Sequence, residues 1–206
     1  GLIGNKVNYD ISLFLLSYDN RIGTAIKTDP VLFNVYQYRT NISKSITKGI
    51  EGMVAIDWWK LLVNDTSKLS VRTFVNTAFT DAKYVNSLEP AYNDKKVELV
   101  PEFTFKTGLR IGYGDFSTQF QYSYTSEHFS DATNTLQQAN AVNGIIPSYS
   151  IVDWSVKYKW KMLQLETGIN NLTNNIYFTR RATAYPGPGI IPSAPRNYFL
   201  TLQIKI

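Results

Sequence analysis

Cysteine is missing from the 206 residues, which excludes disulfide frameworks, thiolate metal sites and cysteine nucleophiles. Histidine occurs once, as His128, and one imidazole cannot build a histidine-rich metal site. Long hydrophobic runs are lacking too: stretches such as Leu13-Phe14-Leu15-Leu16 fall far short of the ~20 apolar residues a membrane helix needs. Charged side chains make up only 18%, the formal net charge is +5, and no block of like charge points to nucleic acid. Gly1-Leu2-Ile3-Gly4 has no Met and none of the basic and apolar regions of a signal peptide, so the expectation is a mature end or, preferably, a cut inside a longer protein.

What the chain does hold is aromatic side chains, with fourteen Tyr and eleven Phe, a usage that favours strands over helices. Apolar residues recur at every second position, the period of a strand. The cleanest case sets Phe116, Thr118, Phe120, Tyr122 and Tyr124 against Ser117, Gln119, Gln121, Ser123 and Thr125. Eight such segments can be laid out, over 7–22, 42–60, 69–80, 101–113, 116–127, 149–159, 162–178 and 196–206, with no helix between them.

The connections alternate in length. Short turns are expected at 61–68, 114–115 and 160–161, and long polar or Gly/Pro-rich loops at 23–41, 81–100, 128–148 and 179–195. Outer-membrane barrels sort their loops this way, short on the periplasmic side and long on the outside. The two faces agree. Tyr9, Ile11, Leu13, Leu15, Ile50, Val54, Ile56, Trp58, Phe105, Leu109, Ile111, Tyr113, Leu200, Leu202, Ile204 and Ile206 fall on a lipid side. Asp10, Glu51, Asp57, Arg72, Glu102, Lys106, Arg110, Glu127, Asp153, Lys157, Glu166 and Lys205 fall on the other, as in a polar lumen. Trp58-Trp59-Lys60 and Tyr158-Lys159-Trp160-Lys161 suit the membrane interface at the short-turn end. A soluble sheet with ordinary aromatic cross-strand pairs is the alternative.

Specific segments then become familiar. Asn170-Asn171-Leu172-Thr173-Asn174-Asn175-Ile176-Tyr177, followed by a loop and a closing alternating strand, resembles the C-terminal end of TonB-dependent outer-membrane receptors. Residues 177–192, with Arg180-Arg181 and Tyr185-Pro186-Gly187-Pro188-Gly189, resemble the last extracellular loop of the iron(III) dicitrate receptor branch. Lys48-Gly49-Ile50-Glu51 and Val100-Pro101-Glu102 resemble the heads of two descending strands in the same family. Ile206 departs from the pattern, because family members usually end on an aromatic residue.

The resemblance implies that residues 1–206 are the C-terminal portion of an antiparallel transmembrane β-barrel of 22 strands, with its plug domain outside this chain. It implies a Gram-negative outer-membrane receptor for a ferric chelate such as ferric citrate, energised by TonB through that plug. No cofactor, resident metal or catalysis is expected. Other cargoes, namely another siderophore, cobalamin or an oligosaccharide, stay open, as does a free-standing eight-stranded barrel with a structural or hydrolase role.

Arg180, Arg181 and Tyr185 are the candidate ligand-binding residues. Guanidinium forks fit carboxylates bidentately and citrate is rich in them; anchoring of the loop to acids of the lumen is the competing role. The Pro186-Gly187-Pro188-Gly189 run should form a stiff cap holding Tyr185 and the arginines over the barrel mouth, or simply a protease-resistant loop. Arg196 is read as structural and His128 as no ligand to iron. Ser126 and His128 share a strand face, without an oxyanion-hole motif beside them.

Overall fold

The computed structural model describes residues 1–63, 68–87, 90–137, 139, 141–182 and 187–204. Lys205 and Ile206, each assigned to a face from sequence, lie outside them. The strands are β1 (Leu2–Ile3), β2 (Val7–Thr28), β3 (Val35–Asp57), β4 (Leu69–Val85), β5 (Phe103–Tyr113), β6 (Phe116–Thr125), β7 (His128–Phe129), β8 (Ile145–Ile146), β9 (Tyr149–Trp160), β10 (Leu163–Asn170), β11 (Phe178–Ala182), β12 (Gly189–Pro192) and β13 (Asn197–Ile204). Nine of them form one antiparallel sheet in the order β1-β2-β3-β4-β5-β6-β9-β10-β13, and β2 and β13 are not paired with each other. Apart from the two-residue β1, these are the eight segments the periodicity outlines. The sheet is an open wall, part of a barrel rather than a closed one. The hairpins β7–β8 and β11–β12 sit in the connections 126–148 and 171–196.

Besides β4, which runs on to Val85 past the expected end at residue 80, three boundaries differ from expectation. The connection at 23–41 is mostly strand: β2 and β3 stay paired from Arg21↔Ser43 out to Thr28↔Val35, beyond an irregularity at Tyr18 to Arg21. The alternating Tyr36, Tyr38 and Thr40 of that stretch are strand formers despite the polar residues around them. Second, the segment expected to be strand through residue 60 ends at Asp57, and a five-residue helix, α1 (Trp58–Leu62), turns the chain. Asp57 caps it, accepting from the Lys60 amide at 3.2 Å, and Trp58 donates its indole N–H to Thr73 Oγ1 at 2.8 Å. Third, β10 stops at Asn170 because Asn171 has φ of +53°, a conformation Asn tolerates better than other side chains. Its side chain closes a turn by donating to the Asn175 carbonyl and accepting from the Asn175 amide, both at 2.9 Å.

One face of the sheet is an apolar belt left open to its surroundings. Leu13, Ile11, Leu200, Leu202 and Tyr198 are 61–80% exposed, and Ile50, Phe79, Ile111, Phe120 and Leu165 continue the band. Trp58 belongs to α1 rather than to this strand face. Water would penalise so wide an apolar surface, whereas acyl chains solvate it. The opposite face carries polar and charged side chains, with Asp57–Arg72 at 2.9 Å and Lys157–Glu166 at 2.9 Å paired across strands. On that face three phenylalanines lie over glycines directly opposite them: Phe14 over Gly49, Phe74 over Gly108 and Phe199 over Gly168. A glycine lets a ring lie flat against the neighbouring strand and restores the contact its missing side chain gives up. Glu102 and Glu127, expected within strands of this face, lie just outside β5 and β6.

The described core sits outside the sheet's apolar belt. Tyr84, Tyr92, Val97 and Ala82 form a buried cluster, with Tyr38, Val100 and Ala132 packed on it, at the end of the wall where the long connections gather.

Candidate ligand-facing rim

The meander sends the β2–β3 tip and the three long connections, 86–102, 126–148 and 171–196, to one end and the remaining turns to the other, because every strand is antiparallel to its neighbours. At the long end the loops are joined to one another. Tyr84 hydroxyl donates to Glu98 at 2.5 Å, and Arg21 reaches the same carboxylate at 3.6 Å, tying the β2–β3 hairpin to the β4–β5 connection. Burial and the bond to Glu98 push the Tyr84 hydroxyl well above the usual phenol range, so it stays a donor. The β4–β5 connection is held in turn by Asn134, which accepts from the Lys96 amide at 2.7 Å and donates to its carbonyl at 2.8 Å. The Leu99 amide donates to the Phe129 carbonyl at 2.8 Å.

Arg181 makes the next link. From β11 it donates to the carbonyls of Ala141 and Ile145, at 2.7 and 2.8 Å, and its guanidinium lies 5.1 Å from the Phe178 ring centroid. Two of its nitrogens are thus taken up by the neighbouring loop. Arg180, one residue earlier, is exposed and has no hydrogen bond or ion pair to any described residue. The two are paired with Ile191 and Ile190 of β12, so they point to opposite sides of the hairpin. Tyr185 and Pro186 lie outside the described residues.

The remaining singled-out residues have structural partners. Arg196 is exposed and its amide donates to Asn174 Oδ1 at 3.1 Å. His128 is buried with Nδ1 3.0 Å from the Ser126 carbonyl, and the Ser126 hydroxyl accepts from the Phe103 amide at 3.0 Å. Below the rim, the lumen face is hollowed by a groove of about 600 Å³ with Asp10 and Glu51 on one side, Lys106 on the other, and Met53 and Asn76 between. Sequence reasoning missed Arg21, Glu98, Lys96 and Asn134, whose partners are up to 77 residues away and carry no local signal.

The family described as "TonB dependent receptor-like, beta-barrel" matches residues 2–172. The chain belongs to that family. Its apolar belt therefore faces the lipid of an outer membrane, the long connections form the outer rim and the charged face lines the lumen of the receptor. No curated protein is similar to it in sequence.

Solved structures share the fold at low identity. The ferric citrate transporter FecA in its unliganded form superposes with a TM-score of 0.78 and 21% identity, covering 97% of this chain and 29% of FecA. The ferric yersiniabactin uptake receptor FyuA from Yersinia pestis gives 0.72 and 13%, over 98% of this chain and 28% of FyuA. The outer membrane transporter YddB from Escherichia coli gives 0.61 and 10%, over 100% of this chain and 31% of YddB. The chain thus spans about a third or less of the length of the receptors it superposes on.

Proposed function

We propose that this chain is the C-terminal wall of a 22-stranded plugged receptor that takes up a ferric chelate, ferric citrate or a similar carboxylate-rich complex, with energy supplied by TonB. The rim would bind the chelate, the lumen would seat the plug, and no bond of the cargo would be made or broken. The observation that carries the reading is Arg180: a guanidinium without a partner among the described residues, held on a hairpin that Arg181 docks onto the next loop. Such a group offers a carboxylate-bearing cargo a paired, charge-assisted contact. The family match supports the receptor architecture, and likeness of fold to the ferric citrate transporter FecA supports this cargo class. In this reading Tyr185, which lies outside the described residues, is a further ligand contact, and Arg181 contributes by positioning as much as by contact.

The test is binding of radiolabelled ferric citrate to cells displaying the complete receptor. Loss of one charge-assisted bond costs about 1.5–3 kcal/mol, so Arg180→Ala should weaken binding about tenfold to a hundredfold at equal surface abundance. Unchanged affinity in that variant would move the site elsewhere. If the wild-type receptor ignores ferric citrate but takes up another iron chelate, the cargo assignment is wrong and the architecture stands.

A further inference from the structure

The lumen face carries an uncompensated charge cluster at its short-turn end. Arg72 on β4 and Arg110 on β5 are direct cross-strand partners on that face. In an antiparallel pair their Cα atoms are about 5 Å apart, and like charges so placed repel. Asp57, opposite Arg72 on β3, is the acid beside them. It is buried, accepts from Arg72 Nε at 2.9 Å and lies 3.8 Å from Lys60 Nζ. Its capacity goes to Arg72 and α1. Arg110 is flanked on its other side by Gln119, is exposed, and has no hydrogen bond or ion pair to any described residue. Lys6 joins Lys60, Arg72 and Asp57 around a hollow of about 270 Å³, so three bases and one acid line it, with Arg110 one strand beyond Arg72.

We propose that Arg72 and Arg110 form a clamp for a carboxylate carried by the segment that fills the lumen of the complete receptor. This rests on reading the chain as the wall of a plugged barrel. The neighbours of Arg110 along β5, Leu109 and Ile111, face lipid, so the guanidinium itself is reached from the lumen side. Asp57 holds Arg72 from one side while the side chain remains about half exposed, which leaves it presented beside Arg110. Two planar guanidiniums on adjacent strands match the two oxygens of one carboxylate. An acid at that point converts a repulsive rung into an attractive one.

The experiment uses the complete receptor. Arg110→Cys introduces a thiol into a stretch that has none. Its reaction with a charged maleimide should be at least tenfold slower than that of Lys161→Cys in the β9–β10 turn, and should reach the same rate once urea has displaced the lumen segment. Equal rates in the native receptor would show that nothing covers Arg110 and would overturn the clamp. Protection that appears only when citrate or inorganic phosphate is added would assign the site to a free anion and overturn it equally. To test the charge itself, Arg110→Glu should lower the urea concentration at which the receptor conducts in a planar bilayer, and Arg110→Lys should largely retain the wild-type value. An equal effect of both substitutions would remove the carboxylate from the proposal. Neither readout requires ferric citrate, so failure of the cargo assignment would leave this result standing.

Discussion

Arg181 holds two loop carbonyls while Arg180, its neighbour, reaches out unengaged, and the cause is the two-residue period of a strand. A dipeptide that looks like one binding feature is divided by its backbone between docking and presentation. Replacing Arg181 by alanine leaves the carbonyls of Ala141 and Ile145 without their donors inside a part-buried contact. Each unpaired group costs about 1–3 kcal/mol. The expected outcome of Arg181→Ala is faster cleavage of the 128–148 connection by an added protease on intact cells, with Arg180→Ala cleaved at the wild-type rate. If Arg181→Ala is cleaved no faster, the link is not what holds that loop. The identity of these arginines was readable from the sequence, but their separate tasks were not: the carbonyls that engage Arg181 lie 36 and 40 residues away and belong to backbone, which has no side-chain signature.

Strand position was legible wherever one face of an element meets lipid, since alternation is strongest there. The strands β4, β5, β6, β9 and β13 begin within about two residues of where their periodicity places them, the usual uncertainty of such boundaries. Legibility failed where that constraint ends. Above the belt, the 23–41 stretch stays paired through backbone hydrogen bonds without a strict apolar pattern, and at Asp57 a cap converts the end of a strand into a helical turn. The Phe-over-Gly pairs were hidden for another reason, because register between strands is a tertiary fact and each glycine read alone only weakens its strand. Their importance is testable. A Cβ at Gly168 would meet the Trp154 carbonyl oxygen at 2.5 Å and the Phe199 ring at 2.7 Å, whereas one at Gly52 finds nothing nearer than Thr77 Cγ2 at 3.9 Å. Gly168→Ala should therefore destabilise the barrel by about 1–3 kcal/mol, as overpacked sites do. The measurement is the temperature at which the receptor loses its compact form in a gel, with Gly52→Ala expected to match or exceed wild type. The same drop in both variants would mean that strand glycines matter by backbone freedom alone.

Across the whole molecule, the meander puts the two ends of every hairpin on opposite sides of the membrane. Phe33, 79% exposed at the β2–β3 tip, and Lys161, between β9 and β10, mark opposite ends. An impermeant maleimide applied to intact cells should label Phe33→Cys in the complete receptor and leave Lys161→Cys unlabelled until the outer membrane is broken. Labelling in the reverse order would invert the topology. Architecture of this kind was legible from loop lengths and face polarity together, whereas the meeting of β4 with the β4–β5 and β6–β9 connections in one buried cluster was not, since the connections read as polar loops. That cluster has a consequence for how such a surface can change over evolutionary time. With Tyr84, Tyr92 and Val97 packed beneath the rim and Asn134 and Arg181 bridging one loop to the next, a change in one connection must be accommodated by those it touches. Free variation is left to projections such as residues 31–33, exposed at the β2–β3 tip and outside that cluster. Phages and antibodies that recognise the tips would then be escaped by single substitutions, while those gripping the packed shoulder of the rim would meet a surface that mutates only at the expense of its own fold.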